Sequence, residues 1–275
     1  MKLITLKHRY DYGHDLYVQS KYCRIYDDNF TTRIIMYCPF FSPFYYKYTL
    51  TDGHQQEMIS RFDKYTNEVK NDEDHVQPQS WACEVETSFA VRSEGKNEDP
   101  SIAHNDYDPL NVNPILQHYI FQTFKSMGWP VYNYVIGSWY NAYGKEHYQE
   151  SHDHLPQQLS GIYFLSYDEE VHGHLTFINP FSELMRSTAM KVFNNQYSAH
   201  SIYVEEEQPI VKSGDLIIFP SWLKHRVTRI SPDSHPKAYQ IPDELYPKRI
   251  TISFNLKLYD WYDHSPSLLG NIARV

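Results

Sequence analysis

Apolar side chains follow two kinds of rhythm along this chain. Between residues 52 and 70, Met58, Phe62, Tyr65 and Val69 recur every three or four positions, the spacing of one helix face. Asp52 with Gln55 resembles a capping box at its start. A second helix is expected from Asn113-Pro114, a capping residue followed by proline in the first turn. Its buried face is Leu116, Ile120, Phe124 and Met127, and Gly128 with Pro130 ends it. Beyond residue 130 the rhythm shortens. Strand-like runs follow one another at 131–143, 160–165, 174–178, 200–204, 215–219, 225–230 and 249–258. Turn signals such as Gly173, Ser213-Gly214-Asp215 and Ser231-Pro232 separate many of them, and "SWACEVETSFAV" adds an earlier run. Many short strands with this punctuation predict a mainly β fold, an antiparallel barrel or jelly roll with flanking helices on one face.

The expected organisation is an N-terminal aromatic arm over 1–50, flanking helical and strand elements over 51–130, a β core over 131–260 and a tail over 261–275. With 16% aromatic residues, the 275-residue chain can fill a large core as a single unit. The net charge of −9 and the lack of a Lys/Arg stripe disfavour nucleic acid as a partner. No apolar run is long enough to span a membrane, and Leu3–Leu6 is far short of a signal-peptide core. An odd count of 3 cysteines without a C-x-x-C argues against a disulfide framework and fits a cytoplasmic setting.

One stretch, "HYQESHDHLPQQLSGIYFL", crowds titratable groups against an apolar strand. In extended chain His152 and His154 point to the same side while Asp153 points away. They can converge on a metal if a third ligand comes from elsewhere, and His225 in "FPSWLKHRV" is the best candidate. With 15 histidines in the chain, most are solvated or structural. A second pair, His172 and His174, falls at an expected turn and reads as surface histidines. In "PKRITISFNLKL" alternation puts Arg249, Thr251, Ser253 and Asn255 on one face and Ile250, Ile252, Phe254 and Leu256 on the other. That polar face either meets solvent or lines the mouth of the barrel, where Arg249 would be a forked anchor for a carboxylate.

Five ordered blocks resemble the 2-oxoglutarate and Fe(II)-dependent oxygenases. They are similar above all to a prolyl-hydroxylase-like subfamily common in marine bacteriophages and bacteria. The blocks are Trp139-Tyr140-Asn141, His152-Asp153-His154, Ser160 to Leu165, Phe219 to His225, and Arg249 to Asn255. The resemblance covers roughly residues 130–258. It implies a double-stranded β-helix core of the cupin-like, jelly-roll kind. It also implies Fe(II) on His152, His154 and His225, and 2-oxoglutarate as cosubstrate with its far carboxylate on Arg249. Thr251 and Tyr143 would make further contacts to the cosubstrate. Gln149 and Glu150 would orient the imidazoles. The implied reaction uses O2, releases succinate and CO2, and hydroxylates an unidentified protein side chain or small molecule. The implied compartment is the cytoplasm, that of the host if the chain is phage-encoded.

Two departures stand out. The wider superfamily has His-x-Asp or His-x-Glu, whereas His154 occupies the second position here. Either His154 replaces the carboxylate, which the offset from His152 favours, or Glu150 supplies one. The stretch between His225 and Arg249 is also long and proline-rich. Two rival readings remain: a non-catalytic cupin-like module that binds metal or ligand, and a three-histidine iron dioxygenase that does not use 2-oxoglutarate. The oligomeric state is not legible.

Overall fold

The computed structural model describes residues 45–69, 85–89, 108–128, 134–180 and 206–258, together with four strands nearer the N-terminus. Those four, β1 (Ile4–Arg9), β2 (Asp15–Ser20), β3 (Cys23–Asp28) and β4 (Thr31–Met36), pair as two antiparallel ribbons, β1 with β2 and β3 with β4. The rest of the expected arm up to residue 44 lies outside the described residues. So do the strand expected at 200–204, Pro130, Cys38, Cys83 and the tail.

The remaining strands are β5 (Tyr46–Thr49), β6 (Glu86–Thr87), β7 (Tyr134–Tyr143), β8 (Gln149–His152), β9 (Leu159–Ser166), β10 (Leu175–Ile178), β11 (Glu206–Glu207), β12 (Asp215–Pro220), β13 (His225–Val227) and β14 (Arg249–Leu258). They form a 6-stranded sheet in the order β5-β12-β9-β14-β7-β6 and a 4-stranded sheet in the order β11-β10-β13-β8. From β7 onward the chain passes back and forth between the two sheets, with β7, β9, β12 and β14 in the larger and β8, β10, β11 and β13 in the smaller. This antiparallel winding is a double-stranded β-helix.

Alternation explains why both faces of the larger sheet are buried. Its outer face packs on α1 (Asp52–Val69) and α2 (Asn113–Met127). Met58, Leu116, Ile120 and Phe124 from the helices meet Tyr140, Tyr163, Ile218, Ile252, Phe254 and Leu256 from the strands. Its inner face contributes Ile162, Phe164, Ile217 and Phe219, which meet Leu175 and Phe177 of the smaller sheet. Each such burial stabilises by roughly 1.5–3 kcal/mol. Gly161 has to be glycine, because a Cβ there would lie 2.2 Å from the Phe254 ring.

The helix starts differ from the expected caps. For α1 the capping hydroxyl belongs to Thr51, which accepts from the His54 N–H at 3.3 Å, while Gln55 donates back to the Leu50 carbonyl at 2.7 Å. For α2 Asn113 is already helical. The Asp108 carboxylate takes the Val112 and Asn113 amides at 2.9 and 2.8 Å, so the cap comes from outside the local motif. Gly128 ends α2 in the left-handed region at φ 67°, as expected. The long stretch before Arg249 forms α3 (Pro236–Gln240) and a 3-10 turn over Asp243–Leu245. It builds its own small cluster of Val171, Ile230 and Ala238 and leaves β14 undisturbed. No described helix is long and apolar enough to cross a membrane.

Candidate active site

β13 pairs with β8 so that His225 lies directly opposite His152. Their rings are 4.4 Å apart, and the His154 ring is 5.0 Å from each. A ligand nitrogen from each of the three lies within 4.8 Å of the others, the sole such group of three among the described residues. Strand alternation does not deliver His154, because β8 ends at His152. The His154 N–H instead donates to the Ser221 carbonyl at 2.9 Å, which docks it against the turn after β12. The Glu150 carboxylate lines the same cavity but is not part of the three-nitrogen group.

The outer nitrogens of two rings are fixed by the main chain. His152 Nδ1 donates to the Glu150 carbonyl at 2.8 Å, and His225 Nδ1 donates to the Leu223 carbonyl at 3.0 Å. Their Nε2 lone pairs therefore face inward. Burial, with smaller contributions from neighbouring imidazoles, pushes His225 down to about 3 and His154 well below the usual histidine range. His152 is lowered by burial against the opposing effect of its bond to Glu150. Three neutral, converging imidazoles suit a divalent transition metal with positions left open. His154 Nδ1 faces a side chain instead: Asn255 Nδ2 lies 3.4 Å away, Asn255 Oδ1 accepts from Ser160 Oγ at 2.8 Å, and Ser160 Oγ lies 2.7 Å from Ser221 Oγ. The sequence put Asn255 on the polar face of its strand but gave no reason to link it to His154.

The three rings open into a cavity of about 190 Å³ that also exposes Arg249, Thr251 and Ser253. The polar face of β14 thus lines the interior and is not in solvent. Arg249 is 2% exposed and sits opposite Tyr143 in the ladder. Its guanidinium lies 4.8 Å over the Tyr143 ring, 5.6 Å from Phe164 and 5.8 Å from Tyr167. Burial lowers its pKa, and a hydrogen bond with Tyr143 opposes this. Its Nε and Nη1 have no hydrogen-bond partner, and among the described residues no carboxylate pairs with it. Gln149 accepts from the Tyr143 hydroxyl at 2.6 Å, so it holds the tyrosine beside Arg249 and does not orient an imidazole as expected.

His172 and His174 are not surface residues. His172 is 2% exposed, its Nδ1 accepts from the Asp168 N–H at 2.9 Å, and its Nε2 donates to the Pro247 carbonyl at 2.9 Å. His174 Nδ1 meets the Tyr167 hydroxyl at 2.8 Å, and its ring lies 4.7 Å from that of His235. The turn that suggested exposure is covered by the excursion before Arg249, which shields it from water.

Several solved structures are similar to this chain at low identity. A Pseudomonas putida prolyl-4-hydroxylase is similar at 9% identity and TM-score 0.43, over 78% of this chain and 93% of that one. HygX from Streptomyces hygroscopicus, with nickel, 2-oxoglutarate and hygromycin B bound, is similar at 11% and 0.45, over 78% and 82%. The viral collagen prolyl hydroxylase of Paramecium bursaria Chlorella virus-1, in complex with 2-oxoglutarate, is similar at 12% and 0.42, over 78% and 96%. No curated protein matches the chain. Residues 137–238 match the family described as "Putative 2OG-Fe(II) oxygenase", a segment that contains all three clustered histidines and stops short of Arg249. Over that segment, rather more than a third of the chain, the protein is similar to a family named for its iron and its 2-oxoglutarate.

Proposed function

We propose that the chain is a dioxygenase that hydroxylates a substrate, a protein side chain or small molecule, and converts 2-oxoglutarate to succinate and CO2. His152, His154 and His225 hold Fe(II) in this reading, and Arg249 holds the distal carboxylate of 2-oxoglutarate. One observation carries it: a buried guanidinium with two unpartnered nitrogens shares a cavity with three converging neutral imidazoles. Leaving charged donors buried and unpaired costs roughly 1–3 kcal/mol or more, and a carboxylate fork removes that cost.

When bound, the iron and its keto acid supply the oxidising chemistry. The residues do the rest. Tyr143, held by Gln149, keeps the guanidinium in place through its hydroxyl and its ring face. Thr251, on the same face of β14, offers a hydroxyl to the carboxylate bound there. Ile162, Leu175 and Val227 line the cavity with apolar surface, which strengthens each charge-assisted bond by excluding water. The absence of a carboxylate from the triad favours one competing reading, a three-histidine dioxygenase that needs no keto acid. Succinate release from 2-oxoglutarate under air with Fe(II) separates the two. Release that is lost in Arg249→Ala supports the proposal, and oxygen consumption independent of 2-oxoglutarate refutes it.

A further inference from the structure

Two of the three clustered histidines are held in one tautomer by main-chain carbonyls, which can only accept. His154 is held by an amide, which can do either. Asn255 presents its Nδ2 donor to His154 Nδ1, so the imidazole proton sits on Nε2 and points at His225 Nε2, 3.3 Å away. In this arrangement His154 has no lone pair to offer a cation.

We propose that Asn255 is a positioning residue that sets the tautomer of His154, and that metal loading turns its amide over. The inference rests on the metal reading above. After half a turn Oδ1 accepts the Nδ1–H of His154, and Nε2 is free to bind. The imidazole stays neutral, because one proton leaves Nε2 for solvent and one reaches Nδ1 from solvent. Ser160 fits both states. Its hydroxyl donates to Asn255 Oδ1 in the first; in the second it accepts from Nδ2 and donates to Ser221 Oγ, 2.7 Å away. The two amide orientations have the same shape, so the turn needs no repacking of β14. Outer partners of this kind typically change metal affinity 10- to 100-fold.

Nitrogen NMR on the full chain with ¹⁵N-labelled histidine tests the tautomers directly. Metal-free protein should carry the proton on Nε2 in His154 and on Nδ1 in His152 and His225, and Zn(II) should move it to Nδ1 in His154. An Nδ1–H already present on His154 without metal overturns the switch. Zn(II) calorimetry provides the second arm. Asn255→Leu should bind about 10- to 100-fold more weakly, whereas Asn255→Asp, a pure acceptor, should bind at least as tightly as the native chain. A purely packing role would weaken both variants alike, and equal affinity in Asn255→Leu and the native chain refutes the proposal. If the native chain takes up no Zn(II), the metal reading itself fails, a result distinct from that equality.

Discussion

His152, His154 and His225 form one group, and His172, His174 and His235 form another, in which His172 and His174 feel the charge of Arg249. Both groups are buried or half-buried, and burial is the leading cause of lowered pKa in both. They differ in where the ring nitrogens go. In the second group His172 spends both nitrogens on the main chain, His174 Nδ1 meets Tyr167, and His235 Nδ1 meets the Ser234 hydroxyl, while the leftover His235 Nε2 belongs to no converging set of three among the described residues. In the first, nitrogens remain that point at one another. The count of histidines therefore says little about ligation; the direction of the nitrogens left over says most.

The sharpest break of this comparison is a pair of alanine variants. His225→Ala should reduce bound Fe(II) or Mn(II) to background by metal analysis, whereas His172→Ala should retain metal. The latter should lose roughly 1–3 kcal/mol of stability in urea titrations, because the Asp168 amide and the Pro247 carbonyl are left unsatisfied. Metal lost from His172→Ala and kept in His225→Ala would reverse the assignment. Next in size is Arg249. Arg249→Ala should weaken 2-oxoglutarate binding to Mn(II)-loaded protein by about ten- to a hundredfold, the equivalent of roughly 1.5–3 kcal/mol, with metal affinity unchanged. Arg249→Lys keeps the charge without the fork, so its loss should be smaller but clear by calorimetry.

His154→Asp should preserve metal binding, since it supplies the usual two-histidine, one-carboxylate set. If Glu150→Gln costs more affinity than His154→Ala in a Mn(II) titration, Glu150 is the third ligand. The smallest effect is a pH dependence in the other group. Burial, with the charges of His235 and Arg249, lowers His174 from 6.5 to about 4. A depressed histidine pKa means the unfolded chain binds the extra proton first. This contribution to stability is therefore complete above about pH 6.5 and is lost as the pH falls toward about 4. Melting curves of metal-free His174→Gln should fall less steeply across that window than those of the native chain. Parallel curves would show that His174 does not titrate there.

How much of this was legible depended on whether a residue's role was local. The period of β14 was readable, and it located Arg249, Thr251 and Asn255 on one face. The stripes of α1 and α2 were equally plain, because packing against a sheet demands them. β8 was not, since Gln149–His152 carries polar groups on both faces at the edge of the smaller sheet and so shows no apolar alternation. The burial of His172 depends on segments that meet only in the folded chain, as does the contact between His154 and Asn255.

Trp139 gives the site an optical consequence. The indole is 4% exposed, packs edge-on against Phe89 at 4.9 Å and lies 6.0 Å from the His154 ring. Its light emission should therefore report directly on what the neighbouring imidazole holds. An open-shell ion such as Co(II) should dim it, while closed-shell Zn(II) should leave it bright. The chain has 5 tryptophans, so loss of the Co(II)-sensitive part of the emission in Trp139→Phe assigns it to this indole, and Trp222, at 50% exposure, should emit at longer wavelength.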